Sequence, residues 1–270
     1  MKNARLYKLI LTSLFTSLAF AGCFINIQLP VGKVHLGNFI CIMSSFFVGP
    51  LLGGISGSIG MALSDIVGGY GVASIVRTII LKFFMGLISG FVFNKLRMSN
   101  VNNKKLNIIV ISILACLTIL MIILSVMSYN NLFHISYEYV KSGVPTTKDV
   151  TIKFHWIIPL ILGIMLVFSI VVLFLDNKIN NISKYALYAS GLALSFNIFG
   201  EVFIKSLLYY FLNSSYSSLN ASFMYSVSGL PSTIITSVVT LVLVSIVFFP
   251  VWKAVSLTVV GKELDVKVNE

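Results

Sequence analysis

Ionisable side chains within apolar stretches are the residues of this 270-residue chain best placed to do chemistry. Lys82 lies in one such stretch, and Glu201 and Lys205 lie in another. Asn197, Glu201 and Lys205 follow one another at intervals of four residues, so they share one face of a helix. Charged groups are costly inside a membrane and mark functional sites by default. The pattern fits a polar cavity and fits equally well an internal pair of Glu201 with Lys82 or Lys205, and Lys205 could instead snorkel outward.

A second polar group lies between the first two apolar stretches and could cover such a site. It consists of Asn26, Gln28, Lys33, His35 and Asn38. The segment is either a lid over a site or a solvated turn, and a lone histidine is usually found in the latter. Polar groups that converge in an otherwise apolar pocket are typical of small-molecule sites. We therefore predict a substrate-binding site built from Asn38, Lys82, Asn197, Glu201 and His35.

Composition restricts the class of protein that carries these residues. The chain is 57% hydrophobic and 10% charged, with a mean hydropathy of +0.99. A soluble domain is typically about half apolar and about a quarter charged, so this chain has too few charges to cover a water-exposed surface. A soluble enzyme, a nucleic-acid-binding domain and a disordered chain are excluded. We predict an all-α polytopic membrane bundle, in which the net charge of +11 reflects topology.

The apolar stretches predict about eight membrane spans. A spanning helix needs about 20 apolar residues. The candidates are 8–29, 36–50, 51–67, 75–94, 106–128, 155–175, 185–212 and 223–250. The second and third are short, and only Gly49-Pro50 separates them. With this count and a cytoplasmic N-terminus, most of the 19 lysine and arginine residues fall in cytoplasmic segments, so both termini are predicted to be cytoplasmic.

Small residues spaced by four mark faces where membrane helices pack closely. Ser13, Ser17 and Ala21 form such a stripe in the first stretch, and Gly53 and Gly57 belong to another in the third. For the third stretch we expect packing within the molecule. For the first, internal packing and contact with another subunit are equally compatible with the pattern.

Asp65 and Arg77 flank a glycine-rich loop between the third and fourth stretches. Opposite charges at the two ends of a short loop can hold it closed. We expect a structural pair here in preference to ligand binding.

Motifs for nucleotide, metal or covalent chemistry are weak in this sequence. It has no phosphate-binding Gly-x-x-x-x-Gly-Lys-Ser/Thr loop and no histidine and glutamate cluster with zinc spacing, and we expect no cofactor. Residues 54–57 resemble the Gly-x-Ser-Gly of rhomboid-type intramembrane proteases, with Ser56 as the nucleophile. Such an enzyme needs a histidine base, and His35, His134 and His155 all lie outside the depth of a later span. We therefore do not expect an enzyme.

Six segments together resemble a known family of membrane proteins. They are Val34–Phe39, Val48–Gly54, Gly57–Gly60, Leu63–Asp65, Ile79–Gly90 and Ser226–Pro231. In this order they are similar to the substrate-binding membrane subunit, or S component, of energy-coupling factor (ECF) vitamin transporters, near the riboflavin-type branch. The resemblance covers 1–97 and 185–255, which would supply a six-helix core. Residues 98–184 would then be an inserted transmembrane hairpin with an outer loop, and 256–270 a cytoplasmic tail.

The resemblance implies a role and a set of partners. The chain would bind a vitamin or vitamin precursor of the riboflavin-like, thiamine-precursor or pyridoxine class in a bacterial cell membrane. A separate transmembrane coupling (T) subunit and two cytoplasmic ATPases would supply the energy, and no nucleic acid would be bound. Ser13 and Ser17 occupy the positions of the family's Ala-x-x-x-Ala docking stripe, and Ala21 continues it.

A self-sufficient secondary transporter of a small solute is the alternative. Transporters of that kind often contain inverted repeats with broken helices. The two halves of this sequence show no clear repeat.

Overall fold

A computed structural model describes most of the chain in several continuous ranges. These are 2–29, 32–98, 134–141, 144–151, 181–212 and 218–258, with isolated positions at 108, 112, 115, 116, 119, 122, 123, 126, 163 and 216. The helices in these ranges are α1 (Lys2–Phe24), α2 (Gly37–Val48), α3 (Pro50–Val67), α4 (Val72–Met98), α5 (Asn181–Leu212), α6 (Leu219–Ser228) and α7 (Leu230–Ser256). The strands are β1 (Asn26–Leu29), β2 (Gly32–His35), β3 (His134–Lys141) and β4 (Val144–Thr151).

Several of these helices can cross a membrane. In the described ranges α1, α3, α4, α5 and α7 are long and apolar enough to do so. The prediction of an all-α polytopic membrane protein is confirmed. Helix α2 has 12 residues, which is short of the roughly 20 needed to span, so the second predicted span is incomplete. The predicted spans 106–128 and 155–175 lie outside the described residues apart from isolated positions.

The first predicted span ends earlier than expected. Helix α1 stops at Phe24, and Asn26 begins a strand that pairs antiparallel with β2. The amide Nδ2 of Asn26 donates hydrogen bonds to the carbonyl oxygens of Cys23 and Phe24, each at 3.1 Å. These bonds satisfy carbonyls that the end of a helix leaves without partners. We call the end of the bundle that carries β1 and β2 the hairpin end.

The last predicted span is broken into two helices. Helix α6 is capped by the hydroxyl of Ser218, which accepts the backbone N–H of Ala221 at 3.1 Å. Gly229 separates α6 from α7, and Pro231 occupies the first turn of α7. Proline is tolerated there because the first turn needs no N–H donor. The predicted span 223–250 therefore contains a helix boundary that hydropathy alone did not show.

Glycines bring α2 and α3 into close contact. Gly49 joins the two helices with φ of 98°, a left-handed conformation that other residues rarely adopt. A Cβ atom on Gly53 would clash with Ser45 of α2, and one on Gly57 would clash with Cys41. The prediction that the third stretch packs within the molecule is confirmed.

Aromatic side chains fill the opposite end of the bundle. Phe46, Phe47, Phe93, Phe248 and Trp252 form an aromatic cluster. Their ring centroids lie as close as 4.6 Å, between Phe46 and Phe93, and Trp252 is fully buried. Tilted and edge-to-face contacts at such distances are favourable for aromatic pairs. The cluster joins α2, α4 and α7 far from the hairpin end.

Candidate solute-binding site

A cavity of about 450 Å³ lies at the hairpin end, between the β1–β2 hairpin and helices α3, α4, α5 and α7. Its volume is within the range of pockets that hold small organic ligands. The residues predicted to form a site all line it, namely Asn38, Lys82, Asn197, Glu201 and His35. The fold therefore brings together five residues that are separated by up to 166 positions in the sequence.

Lys82 and Asn197 connect the two long helices beneath the cavity. The ammonium of Lys82 donates to Oδ1 of Asn197 at 2.6 Å, and both side chains are buried. A buried charge needs a hydrogen-bond partner to offset its loss of hydration. This contact holds α4 against α5 at the level of the site.

Glu201 pairs with Arg77. The sequence analysis had considered a pair of Glu201 with Lys82 or Lys205 and had expected Arg77 to pair with Asp65. One terminal guanidinium nitrogen of Arg77 lies 3.4 Å from a carboxylate oxygen of Glu201. The expected pair of Asp65 and Arg77 is wrong, because Asp65 instead accepts the hydroxyl of Thr78 at 2.5 Å. Neighbouring residues on a helix point about 100° apart, so Thr78 faces α3 while Arg77 faces α5. Arg77 is thus a lining residue that the sequence analysis had assigned to a pair closing the glycine-rich loop.

Two buried polar atoms in the described part of the chain have no hydrogen-bond partner. They are Oδ1 of Asn38, on a side chain that is 3% exposed, and Nε of Arg77. Most buried polar atoms in proteins are paired, so exceptions need an explanation. Both residues line the cavity, so hydrogen-bonding capacity that the described residues leave unused lies in its wall.

His35 presents a neutral ring to the cavity. Its Nδ1 accepts the backbone N–H of Gly37 at 3.1 Å, which leaves Nε2 to carry the proton of the neutral ring. Burial, followed by the positive charge of Lys82, lowers the pKa of His35 to about 4. His35 is therefore a hydrogen-bond donor without a charge at neutral pH.

Lys205 is buried beside two tyrosines and does not snorkel outward. It is 7% exposed, and its ammonium lies 4.3 Å from the ring centroid of Tyr225 and 5.8 Å from that of Tyr209. All three residues line the cavity. Sequence reasoning missed both tyrosines, although Tyr209 extends the four-residue spacing of Asn197, Glu201 and Lys205 by one step.

Comparison with known protein families identifies the chain. The family described as the ECF-type riboflavin transporter, S component, matches residues 3–171, which is more than half of the chain. The chain belongs to this family. An S component is the substrate-binding subunit of a transporter and not an enzyme. Comparisons with curated proteins and with solved structures gave no match.

The matched range of this S component includes part of the predicted insertion 98–184. In that segment β3 and β4 form an antiparallel hairpin. Tyr137 of β3 is 8% exposed, and its ring lies 5.4 Å from that of Tyr225 and 6.4 Å from that of Tyr216. The segment therefore contacts a wall of the cavity. Its boundaries as an insertion remain a prediction.

The small-residue stripe of the S component lies on the surface of α1. Ser13, Ser17 and Ala21 are exposed, whereas Ala19 is fully buried next to Gly60 of α3. The hydroxyls of Ser13 and Ser17 donate to carbonyl oxygens of their own helix at 3.2 and 3.1 Å. Since these hydroxyls are already bonded, the stripe offers a small and shallow surface to a neighbour.

Ser56 belongs to the packing between α2 and α3. It is fully buried, and its hydroxyl donates to Oγ of Ser44 at 2.9 Å and to the carbonyl of Gly53 at 3.0 Å. The Gly-x-Ser-Gly segment is thus explained by close helix contact. No group of three metal-binding side chains occurs in the described ranges.

Proposed function

We propose that this S component binds a vitamin or vitamin precursor in the cavity at the hairpin end. The observation that carries the proposal is the set of polar side chains that line one cavity of about 450 Å³, among them Asn38, whose Oδ1 has no partner in the described residues. We assign Asn38, Lys82, Asn197, Glu201 and His35 to the substrate-binding site. The solute would belong to the riboflavin-like, thiamine-precursor or pyridoxine class.

We further propose that the cavity faces the outside of a bacterial cell. The end of the bundle opposite to the cavity carries basic residues, with Lys95 and Arg97 in the last turn of α4 and Lys253 in the last turn of α7. Positive residues collect on the cytoplasmic side of membrane proteins. This distribution supports cytoplasmic termini and capture of the solute from outside.

Partner proteins would supply the energy. We propose that a transmembrane coupling subunit docks on Ser13, Ser17 and Ala21 and that two cytoplasmic ATPases drive uptake. Exposed small residues at intervals of four let a second helix approach closely, which supports this contact.

Reconstitution in liposomes tests the proposed function. Tritiated riboflavin, thiamine and pyridoxine, and the phosphate ester of each, would be offered to the S component alone and to the S component with its coupling subunit and ATPases. We expect ATP-dependent accumulation of one of these solutes only when the partners are present. Accumulation against a gradient by the S component alone would instead establish a secondary transporter.

A double variant on α1 tests the proposed docking surface for the coupling subunit. Replacing Ser13 and Ser17 with leucine is expected to abolish co-purification with the coupling subunit and ATP-driven uptake, while solute binding is retained. Ala254→Leu, at an exposed position on α7, is the control and should not affect co-purification. If the double variant loses solute binding, the stripe serves folding and not docking.

A further inference from the structure

We propose that the cavity contains an anion-binding subsite formed by Lys205 and the N-terminus of α7, so that the bound solute carries a carboxylate or a phosphate group. The inference rests on the proposed function, because it assigns a chemical class to the solute held in the same cavity. Three observations carry it: the environment of Lys205, the position of the helix end, and the balance of charge in the cavity.

The ammonium of Lys205 is buried without an oxygen partner. It is 7% exposed, and in the described part of the chain it makes no hydrogen bond or ion pair. Its nearest partners are the rings of Tyr225 and Tyr209. Contacts with aromatic faces offset only part of the cost of burying a charge. A negatively charged oxygen from the solute would complete the set of partners that a buried ammonium requires.

The N-terminus of α7 reaches the same place. Gly229 precedes the 27-residue helix, and no side chain caps its first turn. A Cβ atom on Gly229 would lie only 3.2 Å from Nζ of Lys205, so the ammonium lies against the start of the helix. The N-terminus of a long helix carries a partial positive charge and donates backbone N–H groups to anions. Helix α6 ends at the same glycine and offsets part of this helix charge, so the ammonium of Lys205 is the main positive group at this wall of the cavity.

The remaining charges do not neutralise this wall. The cationic side chains that line the cavity are Lys33, Arg77, Lys82 and Lys205, and the acidic ones are Asp65 and Glu201. Glu201 is engaged by Arg77, and Asp65 by Thr78.

The two acids therefore leave the cavity with an excess of positive charge, and the ion pair of Glu201, the acid on the same helix as Lys205, is made with Arg77. Lys82 has the amide oxygen of Asn197 as its acceptor, whereas Lys205 has none in the described residues. A neutral solute would leave this excess in place. A solute with one carboxylate or one phosphate group would reduce it at Lys205, where compensation is lacking.

Thermal unfolding with simple anions tests the subsite. The full-length protein in detergent is titrated with inorganic phosphate or with acetate against chloride at constant ionic strength. We expect a saturable stabilisation by one or both anions, with an apparent Kd that is about tenfold weaker in Lys205→Met. Lys95→Gln, an exposed lysine at the opposite end, should respond as the wild type does. A stronger response to phosphate indicates a phosphate ester, and an equal or stronger response to acetate indicates a carboxylate.

Two results would overturn the inference. One is a wild-type protein that responds to phosphate and acetate no more than to chloride, and the other is an equal response in Lys205→Met. If Lys205→Met does not fold, the response of the wild type to phosphate and acetate, compared with chloride, still tests the inference. Lys205→Arg, which keeps the charge, should retain the response of the wild type.

Uptake measurements on the same preparation separate this inference from the proposed function. ATP-driven uptake without any anion response would exclude the anion-binding subsite and leave the proposed function in place. An anion response without coupled uptake would exclude the proposed transport function and leave the subsite in place.

Discussion

The two ends of the bundle are built from the same helices but have opposite chemistry. Helix α4 places Lys82 in the cavity and Phe93 in the aromatic cluster, and α7 likewise contributes Thr236 to one and Trp252 to the other. At the hairpin end, charged and polar side chains surround an open volume of about 450 Å³. At the opposite end, aromatic rings pack against one another without an intervening polar group among the residues of the cluster.

This contrast separates the source of stability from the source of binding. Dense packing resists unfolding because the removal of a side chain leaves a cavity. A site with unpaired polar atoms lowers stability and can be retained where the rest of the molecule compensates for it. We infer that substitutions in the aromatic cluster change stability most, and that substitutions in the cavity change solute affinity most.

The largest effect is expected at the aromatic cluster. Trp252→Ala removes a fully buried ring that contacts Phe47, Phe93 and Phe248. We expect the free energy of unfolding to fall by about 3 kcal/mol, the low end for buried aromatic residues, since lipid is itself apolar. Thermal unfolding in detergent measures it. Phe91→Ala, which removes an exposed aromatic side chain, should change it little. Equal losses in both variants would contradict a packed cluster.

The next effect concerns the ion pair in the cavity. Glu201→Gln leaves the guanidinium of Arg77 largely buried without a counter-charge, so we expect a loss of about 2 kcal/mol in unfolding free energy. The double variant Arg77→Gln with Glu201→Gln should recover most of this loss, because no unpaired charge remains. Glu138→Gln, an exposed acid on β3, is the matched control. A double variant that is less stable than the single one would show that the two residues act independently.

Substitution of Asn38 is expected to separate solute affinity from stability most clearly. Because its buried Oδ1 has no partner in the described residues, Asn38→Ala removes no hydrogen bond of that atom within the protein. We expect solute affinity to fall about tenfold, equivalent to about 1.4 kcal/mol, with little change in unfolding temperature. Equilibrium binding and thermal unfolding on one preparation measure both. A large loss of stability with unchanged solute affinity would show that Asn38 contributes to packing and not to solute binding.

The smallest effect is a dependence of stability on pH. The pKa of His35 is lowered in the folded protein to about 4, from its ordinary value of about 6.5, so the unfolded chain takes up a proton first as the pH falls. The stabilising effect of the neutral ring is full above pH 6.5 and is lost towards pH 4. Between pH 6.5 and 5.5 we expect a loss of about 1 kcal/mol in unfolding free energy. His35→Gln should remove this part of the pH dependence, and an unchanged profile would exclude His35 as its source.

Sequence patterns were informative about this site where the residues lie on one helix. The four-residue spacing of Asn197, Glu201 and Lys205 placed them on a common face, and all three line the cavity. The partner of Arg77 was not predictable, since Asp65 and Glu201 are both plausible acids and only the packing of α4 against α5 decides between them. Spacing within one helix carries no information on its rotation against the next.

Hydropathy predicted the five helices of the described ranges that can span a membrane, but it did not predict where helices are interrupted. It extended the first span through Asn26 and merged α6 with α7, because apolar residues continue on both sides of each boundary. The physical signals at these boundaries are local: an asparagine that caps helix carbonyls, and glycine followed by proline at a helix start.

The central claim is that the cavity at the hairpin end holds a solute through polar contacts across α4 and α5. Mass spectrometry of small molecules released on denaturing the full-length protein tests it most directly. The comparison is between the wild type and a variant with Lys82→Met and Asn197→Leu, which replaces the 2.6 Å hydrogen bond by apolar side chains. We predict one organic solute from the wild type and its loss from the folded double variant. Release of the same molecules in the same amounts from both proteins would contradict the claim.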